Sequence, residues 1–451
     1  MSDHPITANP LVASMIASLA AAIPGRGRWT FTELLVGAAV TLSGHITDAI
    51  VTAGHTRSWI TYFWFVEHAR WSWLALWAAL LGVLKQRFSP AVWHVILDDT
   101  VVERVSTKAP ECRRHFNHAA KPNRPRFVHG QGWGQGWGQG WGQGWGQGWV
   151  CLAAVLERAG KVGAVPVMLR LVRASGNRGK LDLGRLMVRV LGDRLGHVRL
   201  LADAWYMRAR LIRAAMNQGH CVIGRVRKDL ALYLEPPWPE QRRRGPRRKY
   251  GARVTPDMVA RLPVVRSGQI LYGKFEVVRY RTCCVAARFL RGELVRAVWI
   301  ELERPDRPKG RTETRLLIST DPLMPALEVI RAYAKRWAVE PLFFALKHHW
   351  GLKDAWQQSR LALIRWVTIL AAGYTLNQIM AYSDPALVGD LAQPAPWRRK
   401  GEITAGIIRT GLDRLLRQVG VTGLVTIKSE QKDAANRSAG PPTHQGQLSA
   451  A

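Results

Sequence analysis

A phenol, a guanidinium, a carboxylate and an ammonium fall at helical spacing late in the chain. Tyr333, Arg336, Glu340 and Lys347 occupy relative positions 0, 3, 7 and 14. At about 100° per residue, these side chains lie within roughly a 60° arc of one helical face. Val339, Leu342 and Leu346 fall on the opposite side, where a core wants them. One carboxylate flanked by cations and a phenol suits holding a metal beside a phosphate backbone, if other acids complete the site. Two short runs upstream supply them. Residues 92–97 form an apolar, strand-like run closing on Asp98, Asp99 and Thr100, and residues 197–202 form another closing on Asp203. A buried strand that ends in a carboxylate places it at a sheet edge, where solvent, metal and substrate meet. Two such aspartates and a helical glutamate can bind two hard divalent cations, which clamp the attacking and leaving oxygens of a phosphodiester.

Proline complicates the single helix. Pro341 lacks an N–H and disfavours the helical conformation at the residue before it. The helix therefore kinks or restarts there, with Glu340 near the new N-terminus. Either arrangement exposes Glu340, but the angular relation of Tyr333 to Lys347 loosens.

The elements that must position these groups follow from periodicity. Residues 1–88 read as a helical region with apolar stripes at 11–23, 31–42 and 59–84, and Thr30 or Thr32 offers a cap for the second helix. Strands are expected at 92–98, 148–157 and 164–173, then a helix at 180–192, the Asp203 strand, a helix at 207–217 and a strand at 220–226. Three strands, a helix and a fourth strand bring the ends of the first and fourth strands side by side. Residues 228–312 read as a mainly β insertion, with strand-like runs at 269–279 and 294–303. Inside it, Arg242, Arg243, Arg244, Arg247, Arg248 and Lys249 surround a Gly-Pro step. That step cannot be regular helix. The segment suits phosphate or minor-groove contact, or is simply a solvated basic loop. A long apolar helix is expected over 352–382, and hydrophobic periodicity fades from about 429, as in disordered chains.

Composition points the same way. Lys plus Arg total 65 against 32 Asp plus Glu, a formal charge of +33. Phosphate is the obvious counterpart of such a footprint, although a cationic membrane-surface protein would share it. The five cysteines, Cys112, Cys151, Cys221, Cys283 and Cys284, are odd in number and lack CxxC spacing, which reads as a reducing compartment. Cys112, His115 and His118 cluster without a fourth ligand at zinc spacing, and read as a solvated loop. No secretory signal opens the sequence, and the most apolar stretch, 71–84, is too short to cross a bilayer, so a soluble, cytoplasmic protein is expected.

The oddest segment is 130–149, five tandem copies of Gly-Gln-Gly-Trp. Half its residues are glycine, so an ordered strand or helix is not expected there. Trp133, Trp137, Trp141, Trp145 and Trp149 can stack on unpaired bases. Expansion of a short repeat in a connection, without selected function, is the plainer reading.

Asp98 with Thr100, Asp203 and the Tyr333/Arg336/Glu340/Lys347 pattern together resemble the DDE transposases of bacterial insertion sequences, in the subgroup with a Y-x2-R-x3-E-x6-K signature. The likeness covers about 90–382. It implies an α/β fold with an RNase H-like catalytic core, a mixed five-stranded sheet with flanking helices, interrupted by a β insertion and preceded by an N-terminal helical, DNA-binding domain. The divisions are then 1–88, 89–227, 228–312, 313–385 and 386–451. The resemblance implies Asp98, Asp203 and Glu340 as catalytic, metal-holding acids with two Mg²⁺ or Mn²⁺ ions per site. Asp98 is preferred over Asp99 because the family pattern reads Asp-x-Thr; Asp99 would then be a turn residue bonding its own backbone. Tyr333, Arg336 and Lys347 would contact the transposon end. The partners implied are double-stranded DNA, as terminal inverted repeats and target, and a second copy of the chain on that DNA, in the bacterial nucleoid. An RNase H-like nuclease without strand transfer, or a catalytically inactive DNA-binding relic or repressor, shares these acids. The long repeat departs from the family pattern.

Overall fold

The computed structural model describes residues 9–104, 106, 108–115, 144–173, 178–237, 248–303, 313–393 and 402–425. The basic-loop residues Arg242, Arg243, Arg244 and Arg247, the first part of the repeat, His118 and the tail from 429 lie outside the described residues.

Five helices come first: α1 (Pro10–Ala21), α2 (Gly25–Val40), α3 (Ile46–Ala53), α4 (Trp59–Glu67) and α5 (Trp73–Arg87). Asn9 caps α1 by accepting from the Leu11 and Val12 amides, and Ser72 caps α5 by accepting from Ala75. The expected start of α2 at Thr30 or Thr32 is wrong. The helix begins at Gly25 behind Pro24, and Thr32 Oγ1 donates back to the Arg28 carbonyl (2.9 Å) inside it. Both threonines are buried. A hydroxyl that bonds one turn back is satisfied within a helix, so it does not mark an end.

Next come β1 (Trp93–Glu103), β2 (Arg113–His115), β3 (Gly144–Arg158), β4 (Lys161–Leu171), α6 (Arg178–Leu191), β5 (Val198–Ala202), α7 (Ala209–Met216) and β6 (Cys221–Val226). They assemble in the order β4-β3-β1-β5-β6, with β4, β3 and β1 antiparallel and β1, β5 and β6 parallel. This mixed sheet with flanking helices is consistent with an RNase H-like domain. The loop expected around Cys112 includes the short strand β2, whose Arg113 pairs with Gly146 of β3.

Two strand boundaries differ from expectation. The apolar run of β1 ends at Leu97 but the strand continues to Glu103, because β3 goes on pairing with it as far as Glu103↔Gly146. The repeat is likewise not wholly irregular: β3 starts at Gly144, and Trp149 is completely buried. Gln147, from the same repeat, accepts from Arg104 Nε (2.8 Å) and donates to the Pro110 carbonyl (2.7 Å). Ladder bonds on both edges of β3 and a buried indole offset the glycine entropy there.

The sheet does not stop at β6. The strands β7 (Leu232–Tyr233), β8 (Val265–Leu271), β9 (Lys274–Ala287), β10 (Glu293–Glu303) and β11 (Glu313–Ser319), with helix α8 (Pro256–Arg261), extend it as β6-β11-β10-β9, with β7 and β8 pairing with β9. The expected strand over 269–279 is instead a hairpin. Tyr272 and Gly273 both take positive φ (56° and 73°), and the chain reverses there. Two consecutive left-handed residues match the right-handed twist of flanking strands.

The chain then forms α9 (Ala326–Ala334), a 3₁₀ segment Lys335–Ala338, α10 (Val339–His348), a 3₁₀ turn Leu352–Asp354, α11 (Arg360–Tyr382), α12 (Pro385–Val388) and α13 (Ala405–Val425). The last of these was not expected. Helix α11 is buried along most of its length and joins the two halves of the fold. On one side Trp366 Nε1 donates to the Gly44 carbonyl (2.6 Å) and Asn377 Nδ2 to that of Ala39 (2.8 Å). The Arg365 guanidinium donates to the Val66 (3.0 Å) and Ala69 (2.6 Å) carbonyls, while Thr375 Oγ1 reaches Pro166 of β4 (3.2 Å). A Cβ on Gly373 would sit 2.8 Å from the Ala39 nitrogen, so glycine is what lets α11 and α2 touch. Among the described residues, no helix is long and apolar enough to cross a membrane.

Candidate active site

The parallel ladder between β1 and β5 ends at Leu97↔Ala202, so the next residues of the two strands, Asp98 and Asp203, stand together where that pairing stops. Side chains alternate along a strand, so Asp98 and Asp99 address opposite faces of the sheet. Asp98 meets the 3₁₀ segment: Arg336 Nη1 lies 2.5 Å from Asp98 Oδ2, with 13% of the aspartate side chain and 17% of the arginine exposed. The Asp99 amide donates to the other oxygen, Oδ1 (2.9 Å). Asp99 meets α6 and the loop after β5, where Lys180 Nζ approaches its Oδ2 to 2.5 Å and the Tyr206 hydroxyl donates to its Oδ1 (2.9 Å).

The signature segment is not one helix. Its break falls before Glu340, and α10 starts at Val339 with Glu340 and Pro341 in its first turn. Proline is at home there because its missing N–H is one of the unpaired first-turn donors anyway. Val339, Leu342 and Leu346 turn inward and are buried, as the spacing requires. Tyr333, expected on a shared exposed face, is buried instead at 8% exposure. The tighter 3₁₀ winding between Tyr333 and Glu340 changes the phase of everything before it. Two ion pairs fix this segment on the sheet: Lys335 Nζ to Glu157 Oε1 of β3 (2.6 Å) and Arg336 to Asp98.

A cavity of about 670 Å³ opens over this surface, lined by Asp98, Asp99, Thr100, Glu340 and Lys347 together with Trp337 and Phe344. Trp337 and Phe344 are more than half exposed (53% and 57%), and neither stood out in the sequence as a site residue. Their signal was available, since an indole beside Arg336 and a phenyl one turn after Glu340 lie at the same helical spacing as the acid.

Electrostatics centre on Asp98. Burial raises its carboxyl from 3.8 to about 7, against the opposing pull of Arg336 and with Asp203 adding to the rise. Burial works against the Arg336 charge as well, but Asp98 first, and then Tyr333, Asp203 and Glu340, leave the guanidinium net favoured. Burial raises the Tyr333 phenol, with Arg336 opposing. Burial and the nearby Lys353 lower Lys347, while Glu103 and Glu340 pull it back. Arg336 thus feels all three acids at once.

Three carboxylates are hard oxygen donors, the chemistry that Mg²⁺ and Mn²⁺ prefer. Among the described residues, however, no three His, Cys, Asp or Glu side chains are gathered closely enough to hold an ion. In this arrangement the cationic position beside Asp98 is held by Arg336. The donor set fits a divalent ion in kind, and Arg336 already supplies the positive charge that the buried acid requires. Of the basic loop, Arg248 and Lys249 are described and exposed.

In comparison with known families, the family described as "Transposase DDE domain" matches residues 92–375. That span runs from just before β1 into α11 and takes in every residue of the site. Among curated proteins, none matches the chain.

Proposed function

The chain belongs to the transposase DDE domain family, and from that premise we propose that it excises a DNA element at its terminal inverted repeats and joins the freed ends to target DNA. Asp98, Asp203 and Glu340 are the acids that would hold two Mg²⁺ or Mn²⁺ ions. Those ions, when bound, would activate the attacking oxygen and offset charge on the leaving one. The observation that carries the reading is the meeting of Arg336 with Asp98 at the end of the β1–β5 ladder, with Glu340 facing the same cavity. It is the arrangement expected if residues of the Y-x2-R-x3-E-x6-K pattern serve the strand-end aspartates, and it supports placing the chain in that subgroup. Asp98 is the better choice of first acid because it is the one that meets Arg336 of the signature segment, whereas Asp99 is held by Lys180 and Tyr206.

In the first step, water adds to phosphorus and the P–O3′ bond breaks, leaving a 3′-hydroxyl on the element and a 5′-phosphate on the flank. In the second, that hydroxyl attacks a target phosphodiester, so one phosphodiester is exchanged for another and no covalent protein–DNA link is needed. Arg336 would neutralise the scissile phosphate, and a guanidinium can do so through two N–H donors. Lys347, lining the cavity with its charge disfavoured by burial, gains most from a phosphate. The Tyr333 hydroxyl would orient the strand from beneath. Release of the second strand through a hairpin on the element end fits the subgroup. Arg242, Arg243, Arg244, Arg247, Arg248 and Lys249 would track the duplex backbone, and two copies of the chain would hold the two ends together in the bacterial nucleoid. The mainly β region over 228–312 and the helices over 1–88 are read as the parts that embrace the DNA.

The test is cleavage of a plasmid carrying the gene with its native flanks by purified protein, in Mg²⁺ or EDTA, beside Asp203→Ala. Breaks at the two ends of the element that need both Mg²⁺ and Asp203 are expected. Cuts scattered over the plasmid would indicate a nuclease without strand transfer. Binding with no cutting would indicate an inactive relic.

A further inference from the structure

Beside the Arg336–Asp98 contact, three residues tie the strand ends together. We propose that Asp99, Lys180 and Tyr206 form a positioning unit that fixes Asp98 and Asp203 relative to one another; this rests on the reading of those two acids as metal-holding groups. The connections run from residue to residue. Asp99 is chain neighbour to Asp98, and its Oδ1 accepts from the Tyr206 hydroxyl (2.9 Å). The amide of the same Tyr206 donates to Asp203 Oδ1 (3.1 Å), alongside the Trp205 amide (3.0 Å). Tyr206 therefore spans the two strand ends, with its ring fully buried. Lys180, from the first turn of α6, closes the other side: its Nζ is 2.5 Å from Asp99 Oδ2 and 5.3 Å from the Trp205 ring centre. The lysine and aspartate side chains are only 15% and 17% exposed.

Such a brace has a physical purpose. Asp98 and Asp203 repel one another when ionised, and two carboxylates that share ions must keep their separation to within about half an ångström. Backbone pairing between β1 and β5 ends one residue short of the two acids, at Leu97↔Ala202, so their side chains need a further tie. The Asp203–Tyr206 turn is closed on itself by the Trp205 and Tyr206 amides, and the Tyr206 hydroxyl ties it to β1 through Asp99. Asp99 acts through its neighbours, with its two oxygens held by Lys180 and Tyr206.

The test uses the full chain and Mn²⁺ alone, with bound ion measured by electron paramagnetic resonance, and folding checked by thermal melting. Partners outside the ligand set typically matter 10–100-fold to metal affinity, so Tyr206→Phe and Lys180→Met are each expected to weaken Mn²⁺ binding by about tenfold or more. Lys180→Arg should restore most of it. In end cleavage, Tyr206→Phe should lower kcat while leaving the affinity for element-end DNA within about twofold. Asp98→Asn and Asp203→Asn serve as references. If these lose Mn²⁺ while Tyr206→Phe and Lys180→Met bind it like the parent, the brace is wrong and the metal-holding acids stand. If the reference variants bind Mn²⁺ normally, the acids are misassigned and the brace falls with them. Should Tyr206→Phe fail to fold, Lys180→Met and its arginine rescue carry the same decision.

Discussion

Replacing Arg336 with methionine removes the cation beside Asp98 and keeps most of the side-chain volume. Removing one partner of a buried ion pair usually costs roughly 3–5 kcal/mol. Here that figure is too large, because Asp98 has a way out. Burial already lifts its carboxyl to about 7, with Arg336 opposing the rise. The folded protein thus binds a proton that the unfolded chain gives up near pH 4, so unfolded chains bind fewer protons between about pH 4 and 7. Stability accordingly falls as pH rises through that window, by about 4 kcal/mol from this group. Without Arg336 the folded value climbs further and Asp98 simply keeps its proton. The pH-dependent loss is then capped at what ionisation had been worth: almost nothing at pH 6, about 1.4 kcal/mol at pH 8 and about 2.7 kcal/mol at pH 9. Urea unfolding of parent and Arg336→Met in EDTA at pH 5, 6, 8 and 9 measures this directly, and the difference at pH 5 isolates lost packing. A gap that does not change with pH would mean that the two charges are not coupled. A gap at pH 8 more than 3 kcal/mol above that at pH 5 would mean that Asp98 is a fully ionised ion-pair partner throughout. Either result refutes the reasoning.

Carboxylates must lose their protons to bind a metal, so Mg²⁺ should raise the melting temperature more at pH 8 than at pH 5.5, and Asp203→Ala should abolish the gain; an equal rise at both pH values would place the ion elsewhere. Trp149 is fully buried and its indole nitrogen has no hydrogen-bond partner among the described residues, so its contribution is apolar packing. Trp149→Ala should cost about 3–5 kcal/mol in urea unfolding, and a loss below about 1 kcal/mol would mean that the end of the repeat is not part of the sheet.

Much of the fold was legible because its strands sit inside continuous apolar runs and its helices carry clean stripes. Residues 148–157 and 164–173 announced β3 and β4 in this way, and α6 and α7 appeared within a few residues of their expected bounds. What failed were features set by partners. Nothing local says that β1 should continue past Leu97 through Asp98 and Asp99, because the reason is the β3 ladder beside it. Nothing local makes a glycine-rich repeat extended, because the ordering of Gly144 to Trp149 comes from strands on either edge and a pocket for one indole. The Tyr272–Gly273 reversal was within reach, since a glycine interrupting a β-branched run is a turn signal. The sheet's continuation from β6 through β11 was not, because it depends on which edge the later strands find.

The candidate site divides along the same line. Asp98, Asp203, Arg336 and Glu340 could be picked out because each has a distinctive context: a strand end for the two aspartates and a repeated helical spacing for the others. The spacing argument took a continuous helix, while Pro341 pointed to a restart with Glu340 near the new N-terminus; the chain does restart there, using two helices with a 3₁₀ segment between them. The groups still converge because each short helix keeps its own apolar face on the core. Glu340 and Lys347 share α10 and line one cavity, and Arg336 is delivered to Asp98 by the tighter segment before it. Lys180 and Tyr206 could not have been found this way. They lie 81 and 107 residues from Asp99, on elements whose own patterns are fully explained by packing. A brace of this kind is written in the juxtaposition of strand ends, which only the closed sheet creates.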